Sequence, residues 1–195
     1  MEANEEKKFL ENGQRYIAAS SDAKKALHEL VRSAAQAAGT SMGALYLTDD
    51  AQGVLKPAVV VNLPEDYVKG CGDIPLGEQC CGWVALHNLP WYVADICNDP
   101  VFSTEAREAA MHAGVRAAFS VPVVNAQGKC IGALSAHFSE PHVPLDQEIR
   151  THIMFAQLVA VALASVPGNR PTSPDAVRPP AGTDGSPPGP QPLGK

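Results

Sequence analysis

Residues 117–138 read AAFSVPVVNAQGKCIGALSAHF and decide the fold of this chain. Two runs rich in β-forming side chains, 117–124 and 130–138, flank the segment 125–128, which ends in glycine. A short polar segment of this kind between two such runs is typical of a β-hairpin. We therefore expect an antiparallel pair of strands here.

Side-chain alternation gives each strand of this hairpin one apolar face and one face of small or polar residues, because successive residues of a strand point to opposite sides. The small or polar face carries Ala118, Ser120, Ser135 and His137. A face open to water would carry Lys, Glu and Arg instead. Small residues leave volume and supply a few hydrogen-bonding groups, so we expect this face to be covered and to line a ligand site.

A second hairpin and several helices are predicted around this pair of strands. The expected helices span residues 22–38, 79–87, 104–112 and 144–165, and the further strands span 42–48, 54–61 and 91–94. The first helix follows Ser20 or Ser21 as its N-cap, and the last begins at Pro144. Together these elements predict an α+β fold, with helices packed on one face of an antiparallel sheet.

The composition changes at both ends of the chain. Residues 1–19 are mostly polar and form an N-terminal extension, and the folded domain is expected to span 20–166. Residues 167–195 contain nine Pro and five Gly and no aromatic residue. Such a segment buries too little apolar surface to offset the entropy of ordering it, so we expect a disordered tail. A polyproline ligand for a partner domain is the alternative.

The charge balance excludes two classes of partner. The chain has 195 residues with 21 acidic and 15 basic side chains, a formal net charge of −6, and no cluster of four basic residues. A sequence-independent hold on nucleic acid or on an anionic membrane needs a concentrated positive field, so neither partner is expected. No apolar run is long enough to span a bilayer, and the acidic N-terminus lacks the pattern of a secretory signal. We expect a soluble, cytoplasmic protein.

Five cysteines are present, at Cys71, Cys80, Cys81, Cys97 and Cys130. In a cytoplasmic protein they are expected to be free thiols, and their spacing fits no structural metal site. Cys80 and Cys81 open the predicted helix 79–87, whose positive end would lower the pKa of a thiol there. That position suggests redox sensing, and the alternative is that both residues are small buried hydrophobes.

Six phrases along the chain resemble the GAF domain, a small-molecule sensor module. They are GTSMGALYL at 39–47, IPLGEQCCG at 74–82, VADI at 93–96, GVRA at 114–117, SVPV at 120–123 and GALSAHF at 132–138. The resemblance covers about residues 22–165 and implies a role in signal transduction. It also implies an antiparallel sheet with the terminal helices on one face and a ligand pocket on the other. The sequence contains no kinase, cyclase or DNA-binding segment, so we expect the signal to pass to a separate protein.

The family binds chemically diverse ligands, and this sequence favours a small anion or an organic acid. The start of the predicted helix 79–87 would present free N–H groups to the pocket, and helix N-termini bind anions. Two tryptophans would supply apolar walls. The candidate ligand-binding residues are Tyr46, Cys80, Cys81, Trp83, Trp91, Ala118, Ser120, Ser135 and His137. No cofactor is expected.

One enzyme class of the family, the free methionine-R-sulfoxide reductases, is resembled in part. The resemblance implies Cys71 and Cys81 as its thiols. The third cysteine of that class would fall within residues 101–106, where this chain has none, and Cys97 is the nearest candidate. The carboxylates that hold free methionine correspond to Ala118, Ser135 and His137, which removes the charge-assisted bonds to a zwitterion. We therefore expect a non-enzymatic protein, with the reductase as an alternative.

The predicted last helix is apolar almost all round between Met154 and Leu163, which exceeds what one buried face requires. We expect the second face to lie against another subunit, in a homodimer formed through the terminal helices. A structural dimerisation module with a vestigial pocket is the remaining alternative to a sensor.

Overall fold

Helices and strands alternate along the described part of this computed structural model, residues 3–19 and 22–165. The helices are α1 (Ala3–Ala19), α2 (Ala23–Ala37), α3 (Glu65–Cys71), α4 (Gln79–His87), α5 (Thr104–His112) and α6 (Asp146–Ala164), with one 3₁₀ turn at Ile96–Asn98. The strands are β1 (Met42–Asp49), β2 (Val54–Val61), β3 (Ile74–Pro75), β4 (Trp91–Val93), β5 (Ala117–Val124) and β6 (Cys130–Phe138). The predicted α+β class is confirmed.

A single antiparallel sheet holds these strands in the order β3-β2-β1-β6-β5-β4. Both predicted hairpins, β1–β2 and β5–β6, are present, and β1 pairs with β6 at the centre. Gly132 is needed at this central pairing because a Cβ there would lie 2.3 Å from the carbonyl oxygen of Tyr46. The two central strands, which carry Tyr46, Ser135 and His137 of the candidate site, are therefore held side by side.

The first face of the sheet, here called the helix face, packs against α2 and α6. Its core consists of large aliphatic and aromatic side chains, among them Leu45, Phe119, Val121 and Leu134 from the strands. Burial of this much apolar surface supplies the main stabilisation of such a layer. The alternation predicted for β1, β5 and β6 is confirmed, since these four residues all belong to the apolar set.

Helix α1 lies outside this layer and was not predicted from the sequence, which indicated only a polar extension over residues 1–19. Phe9 packs edge-on against Phe155 of α6, with ring centroids 5.1 Å apart. Gly13 lies against Leu158 so closely that a Cβ would approach that side chain to 2.4 Å. Part of the second apolar face of α6, which we expected to meet another subunit, is thus covered by the chain's own first helix.

Four short elements, α3, α4, α5 and the 3₁₀ turn, cover the second face of the sheet. We call these elements the roof, and the sheet face beneath them the roof face. Ser120, Ser135 and His137 on this face are 0%, 1% and 2% exposed. Their burial confirms the prediction that the face of small and polar residues is covered. A second core between sheet and roof combines alanines, thiols and tyrosines with large aliphatic side chains and Phe102. Its strand residues include Ala44, Ala118 and Ala133.

Several boundaries differ from those predicted. Helix α2 is capped by Asp22, whose carboxylate accepts hydrogen bonds from the next turn at 2.9 and 3.3 Å, while Ser20 and Ser21 lie outside the described residues. Helix α6 begins at Asp146 and not at Pro144, because the Glu148 carboxylate accepts the backbone N–H of Leu145 at 2.6 Å. Helix α3 and strand β3 were not predicted, and the proline-rich tail, 167–195, also lies outside the described residues.

Helices within residues 3–19 and 22–165 were also compared with the length and apolarity that a bilayer demands. None of them is both long enough and apolar enough to cross a membrane.

Candidate ligand-binding site

Strand register arranges the roof face in three rows that run across the sheet. Pairing places Met42, His137, Ala118 and Val93 in the first row, Ala44, Ser135, Ser120 and Trp91 in the second, and Tyr46, Ala133 and Pro122 in the third. Residues paired directly across antiparallel strands project to the same side of the sheet. The structure therefore brings six of the nine candidate residues together on one buried face.

A chain of hydroxyl and thiol groups occupies the middle row. Ser120 Oγ and Ser135 Oγ lie 2.7 Å apart, and Cys81 Sγ of α4 lies 2.9 Å from Ser135 Oγ. The neighbouring thiol of Cys80 donates to the carbonyl oxygen of Trp91 at 3.3 Å. Helix α4 thus rests directly on the sheet at this point, and the two serines satisfy each other's hydrogen-bonding capacity together with Cys81.

His137, in the adjacent row, has an unsatisfied buried nitrogen. Its Nδ1 has no hydrogen-bond partner among the residues that the structure describes. Its ring meets the edge of Tyr67 of α3, with centroids 5.6 Å apart and an interplanar angle of 77°. Burial lowers the pKa of His137 to about 4, so the imidazole is neutral at neutral pH.

Two tyrosines complete the buried polar groups between sheet and roof. Tyr46 on β1 and Tyr67 on α3 are 1% and 2% exposed, and burial raises the pKa of both phenols, so they stay protonated. Cys71 lies one helical turn beyond Tyr67 on α3, and each group influences the pKa of the other. Sequence reasoning missed Tyr67, although its spacing of four from Cys71 places both on one side of a helix.

The strand side chains of the covered face are uncharged. Among the described residues, the buried polar side chains are Gln79, Ser120, Ser135, His137 and His152. The buried set contains no Asp, Glu, Lys or Arg side chain within residues 4–17 and 22–165. No group of three or more His, Cys, Asp or Glu residues in the described chain could hold a metal ion.

The thiols of the site are protonated and weakly nucleophilic. Burial raises the pKa of Cys71 to about 12 and also raises the pKa values of Cys80 and Cys81. The predicted lowering at the start of α4 is therefore wrong, because desolvation of these fully covered thiols outweighs the field of a nine-residue helix. All five cysteines are free.

Cys97, the nearest candidate for a third reductase thiol, has a different environment. It lies in the 3₁₀ turn and is half-buried. Its backbone N–H donates to the carboxylate of Asp95 at 3.2 Å, and that carboxylate also pairs with the Arg116 guanidinium at 2.9 Å and 3.2 Å. The Arg116 guanidinium lowers the pKa of Asp95, so Cys97 lies beside a half-exposed ion pair.

The two tryptophans form a stack at the edge of the site. Trp83 of α4 and Trp91 of β4 pack with ring centroids 4.3 Å apart, and Trp83 also contacts His87 at 4.2 Å. Both tryptophans are half-buried, so each uses one ring face on the other. They close the β4 edge of the covered face.

The start of α4 is built from a strained residue. Gln79 has φ of 51° and is 6% exposed, and its backbone N–H donates to the carbonyl oxygen of Val101 at 2.9 Å. Its side-chain amide reaches the carbonyl oxygen of Cys71 at 3.5 Å. The first helical N–H is therefore occupied by the chain itself, which leaves fewer free donors for an anion than the sequence suggested.

Comparison with known proteins identifies the class of this fold. The family model of the GAF domain matches residues 22–163, and the chain belongs to the GAF domain family. No curated protein matches the chain.

Solved structures share the fold at low sequence identity. The GAF domain of a phosphoenolpyruvate-protein phosphotransferase from Coxiella burnetii is 21% identical with a TM-score of 0.66, and the match covers 84% of this chain and 95% of that one. The GAF domain of the Acinetobacter phosphoenolpyruvate-protein phosphotransferase is 18% identical with a TM-score of 0.63, and the match covers 83% of this chain and 94% of that one. A free methionine-R-sulfoxide reductase from Neisseria meningitidis, solved with its substrate, is 20% identical with a TM-score of 0.60, and the match covers 80% of this chain and 89% of that one. Likeness at this level of identity establishes the GAF fold, which sensor domains and reductases share.

Proposed function

We propose that this chain is a small-molecule sensor of signal transduction that binds its ligand between the roof and the roof face. The observation that carries the proposal is the unpaired nitrogen of His137, which is buried on a face of small residues under a cover of short segments. A buried polar atom without a partner costs about 1–3 kcal/mol, and a ligand that supplied the missing bond would recover that cost. The expected ligand-binding residues are the candidate set of the sequence analysis, extended by Tyr67.

The sensor proposal also includes an output through other molecules. We propose a homodimer through the terminal helices and a separate signalling protein in the cytoplasm as the receiver of the signal. Val161 of α6 is 36% exposed, and it lies on the side of α6 that the chain's own core leaves accessible. Light scattering of the full chain tests the dimer, and a monomeric mass at micromolar concentration would contradict it.

A thermal-shift screen of the full chain tests ligand binding. A ligand at 100 times its Kd stabilises the folded state by about 2.7 kcal/mol. Two variants locate the site, because Ala117 and Ala118 are neighbours on β5 that face opposite sides of the sheet. We expect Ala118→Val to abolish the shift by the best compound and Ala117→Val to retain it.

Native mass spectrometry of gently purified protein provides the independent readout. A guest molecule that co-purifies with the full chain would support the proposal. The contact between Cys81 and Ser135 favours a second candidate, a structural module with a vestigial pocket, because protein atoms fill that part of the face. No guest and no thermal shift with any compound would favour that module over a sensor.

The methionine-R-sulfoxide reductase is the enzymatic alternative, favoured by the presence of Cys71 and Cys81 in the same buried cluster. Its reaction needs a thiolate to attack the sulfoxide sulfur, which releases methionine and leaves a sulfenic acid on the attacking cysteine. A second thiol then attacks the sulfenic sulfur and expels its oxygen as water, which gives a disulfide. The raised pKa values of both thiols oppose that first step. We expect no turnover of free methionine-R-sulfoxide with dithiothreitol, and turnover that Cys81→Ser abolishes would establish the reductase.

A further inference from the structure

The chemistry around His137 restricts what the proposed site can accept. Burial is the cause of the lowered pKa of His137, and its Nδ1 has no hydrogen-bond partner among the described residues. The neutral imidazole has one nitrogen that donates and one that accepts. A group that can both donate and accept therefore pairs with the free Nδ1 in either tautomer.

The second buried histidine, His152 of α6, is the matched case on the helix face. His152 is 1% exposed, and its Nε2 also lacks a regular hydrogen bond. The backbone carbonyls of Ala34 and Leu134 nevertheless lie close enough to raise its pKa, against a larger lowering by burial. It is enclosed by long helices and by the ring of Phe119 at 4.8 Å, whereas His137 lies under the short helix α3.

The absence of buried charge on the covered face disfavours ionic ligands. A carboxylate placed beside His137 would lose its hydration and find no buried Lys or Arg among the described residues. An ammonium or amidinium would find no buried Asp or Glu there. Burying an unpaired charge costs several kcal/mol, while an uncharged amide loses far less.

The neighbouring groups suit a flat uncharged molecule. The rings of Tyr67 and His137 present aromatic surface, and the small alanines of the first two rows lie on the same covered face, so a flat ligand would enter there when the roof lifts. Access of a ligand to His137 requires α3 to move. The residue that follows α3 is Gly72, whose φ of 59° is accessible to glycine at little cost. Short elements joined by loops open at lower free energy than the long helices of the opposite face.

We propose that the ligand is an uncharged planar molecule bearing a carboxamide-like group, which pairs with Nδ1 of His137. The inference rests on the proposed sensor function, since it names the ligand class of the same site. It differs from the small anion or organic acid that the sequence favoured. The difference follows from the occupied N–H of Gln79 and from the lack of buried cations in the described residues.

Three probes of nearly equal shape test the charge requirement. Benzamide, benzoate and benzamidinium share a ring and a planar three-atom head group and differ in charge. We expect benzamide to raise the Tm of the full chain at pH 7 and to bind at least tenfold more tightly than either ion. Tighter binding of benzoate or benzamidinium would overturn the inference and leave the sensor proposal intact.

Two matched variants test the anchor. His137→Phe and His152→Phe each replace a buried histidine by a ring that cannot hydrogen-bond, one on each face of the sheet. We expect benzamide affinity to fall at least tenfold in His137→Phe and to stay within twofold in His152→Phe. Equal loss in both variants would assign the effect to general destabilisation and overturn the anchoring role.

Nuclear magnetic resonance of the histidine side chains gives a readout that folding alone would not move. With ¹⁵N-histidine in the full chain, benzamide should shift the Nδ1 resonance of His137 and leave that of His152 unchanged. An unshifted Nδ1 at saturating benzamide would overturn the proposal. If none of the three probes binds while the wider screen yields a guest, the ligand class is wrong. If no guest is found at all, the sensor proposal fails with it.

Discussion

The two faces of the sheet share the same strands but differ in side chains and in cover. On the helix face, Phe119, Val121 and Leu134 belong to an apolar core shared with helices of 15 and 19 residues. On the roof face, the alternate residues of the same strands are alanines, serines and a histidine, under helices of seven and nine residues. The comparison indicates that the helix face supplies much of the stability, and under the sensor proposal the roof face is the part that opens for a ligand.

Truncation of one phenylalanine on each face tests that division and has the largest expected effect. Phe119→Ala on the helix face should lower the free energy of unfolding by about 3–5 kcal/mol, because rigid helices cannot collapse into the cavity. Phe102→Ala removes the same ring from the roof, where the loop can relax, and should cost about 2 kcal/mol. Urea unfolding of both variants measures the difference. Equal costs would mean that the roof is as rigid a part of the core as the helix layer.

Each face also buries one histidine, which predicts a dependence of stability on pH. Burial lowers the pKa of His137 to about 4 and that of His152 to about 3, from an ordinary value of 6.5. Below pH 6.5 the unfolded chain binds protons that the folded chain does not, so the free energy of unfolding falls as the pH falls toward 4. Each histidine contributes a slope of about 1.4 kcal/mol per pH unit below about pH 6.

The variants His137→Phe and His152→Phe separate these two contributions. Each should flatten the decline between pH 6 and pH 4.5, since phenylalanine does not titrate. Urea unfolding at a series of pH values measures the slope. An unchanged slope in either variant would show that the corresponding imidazole already binds its proton in the folded state.

The contrast between the faces explains what could be predicted from the sequence. Period-two alternation in residues 117–138 is a local property, so it predicted both the hairpin and the assignment of Phe119 and Ser120 to opposite faces. The long helix α2 was also predicted from a local pattern, the spacing of its apolar residues by three and four positions. Helix α1 was missed because its apolar contacts, such as Phe9, are few and gain their meaning only from α6.

The site was harder to predict because it depends on contacts between distant parts of the chain. Helix α3 has seven residues and is stable only through tertiary packing, so Tyr67 carried no signal as a site residue. The approach of Cys81 to Ser135 joins residues 54 positions apart. The pKa of Cys81 followed burial, which is set by the whole fold, and not the helix N-terminus that the local sequence showed.

The smallest expected effect concerns strain at the entrance to α4, where the roof meets the sheet. Gln79 adopts φ of 51°, a left-handed conformation that costs a residue with a side chain about 1 kcal/mol relative to glycine. Gln79→Gly and Gln79→Ala both delete the amide that reaches the carbonyl oxygen of Cys71, but only alanine keeps the strain. The glycine variant should therefore be more stable than the alanine variant by about 1 kcal/mol in urea unfolding. The order would reverse if α4 started at another residue in solution, because alanine is favoured over glycine inside a helix.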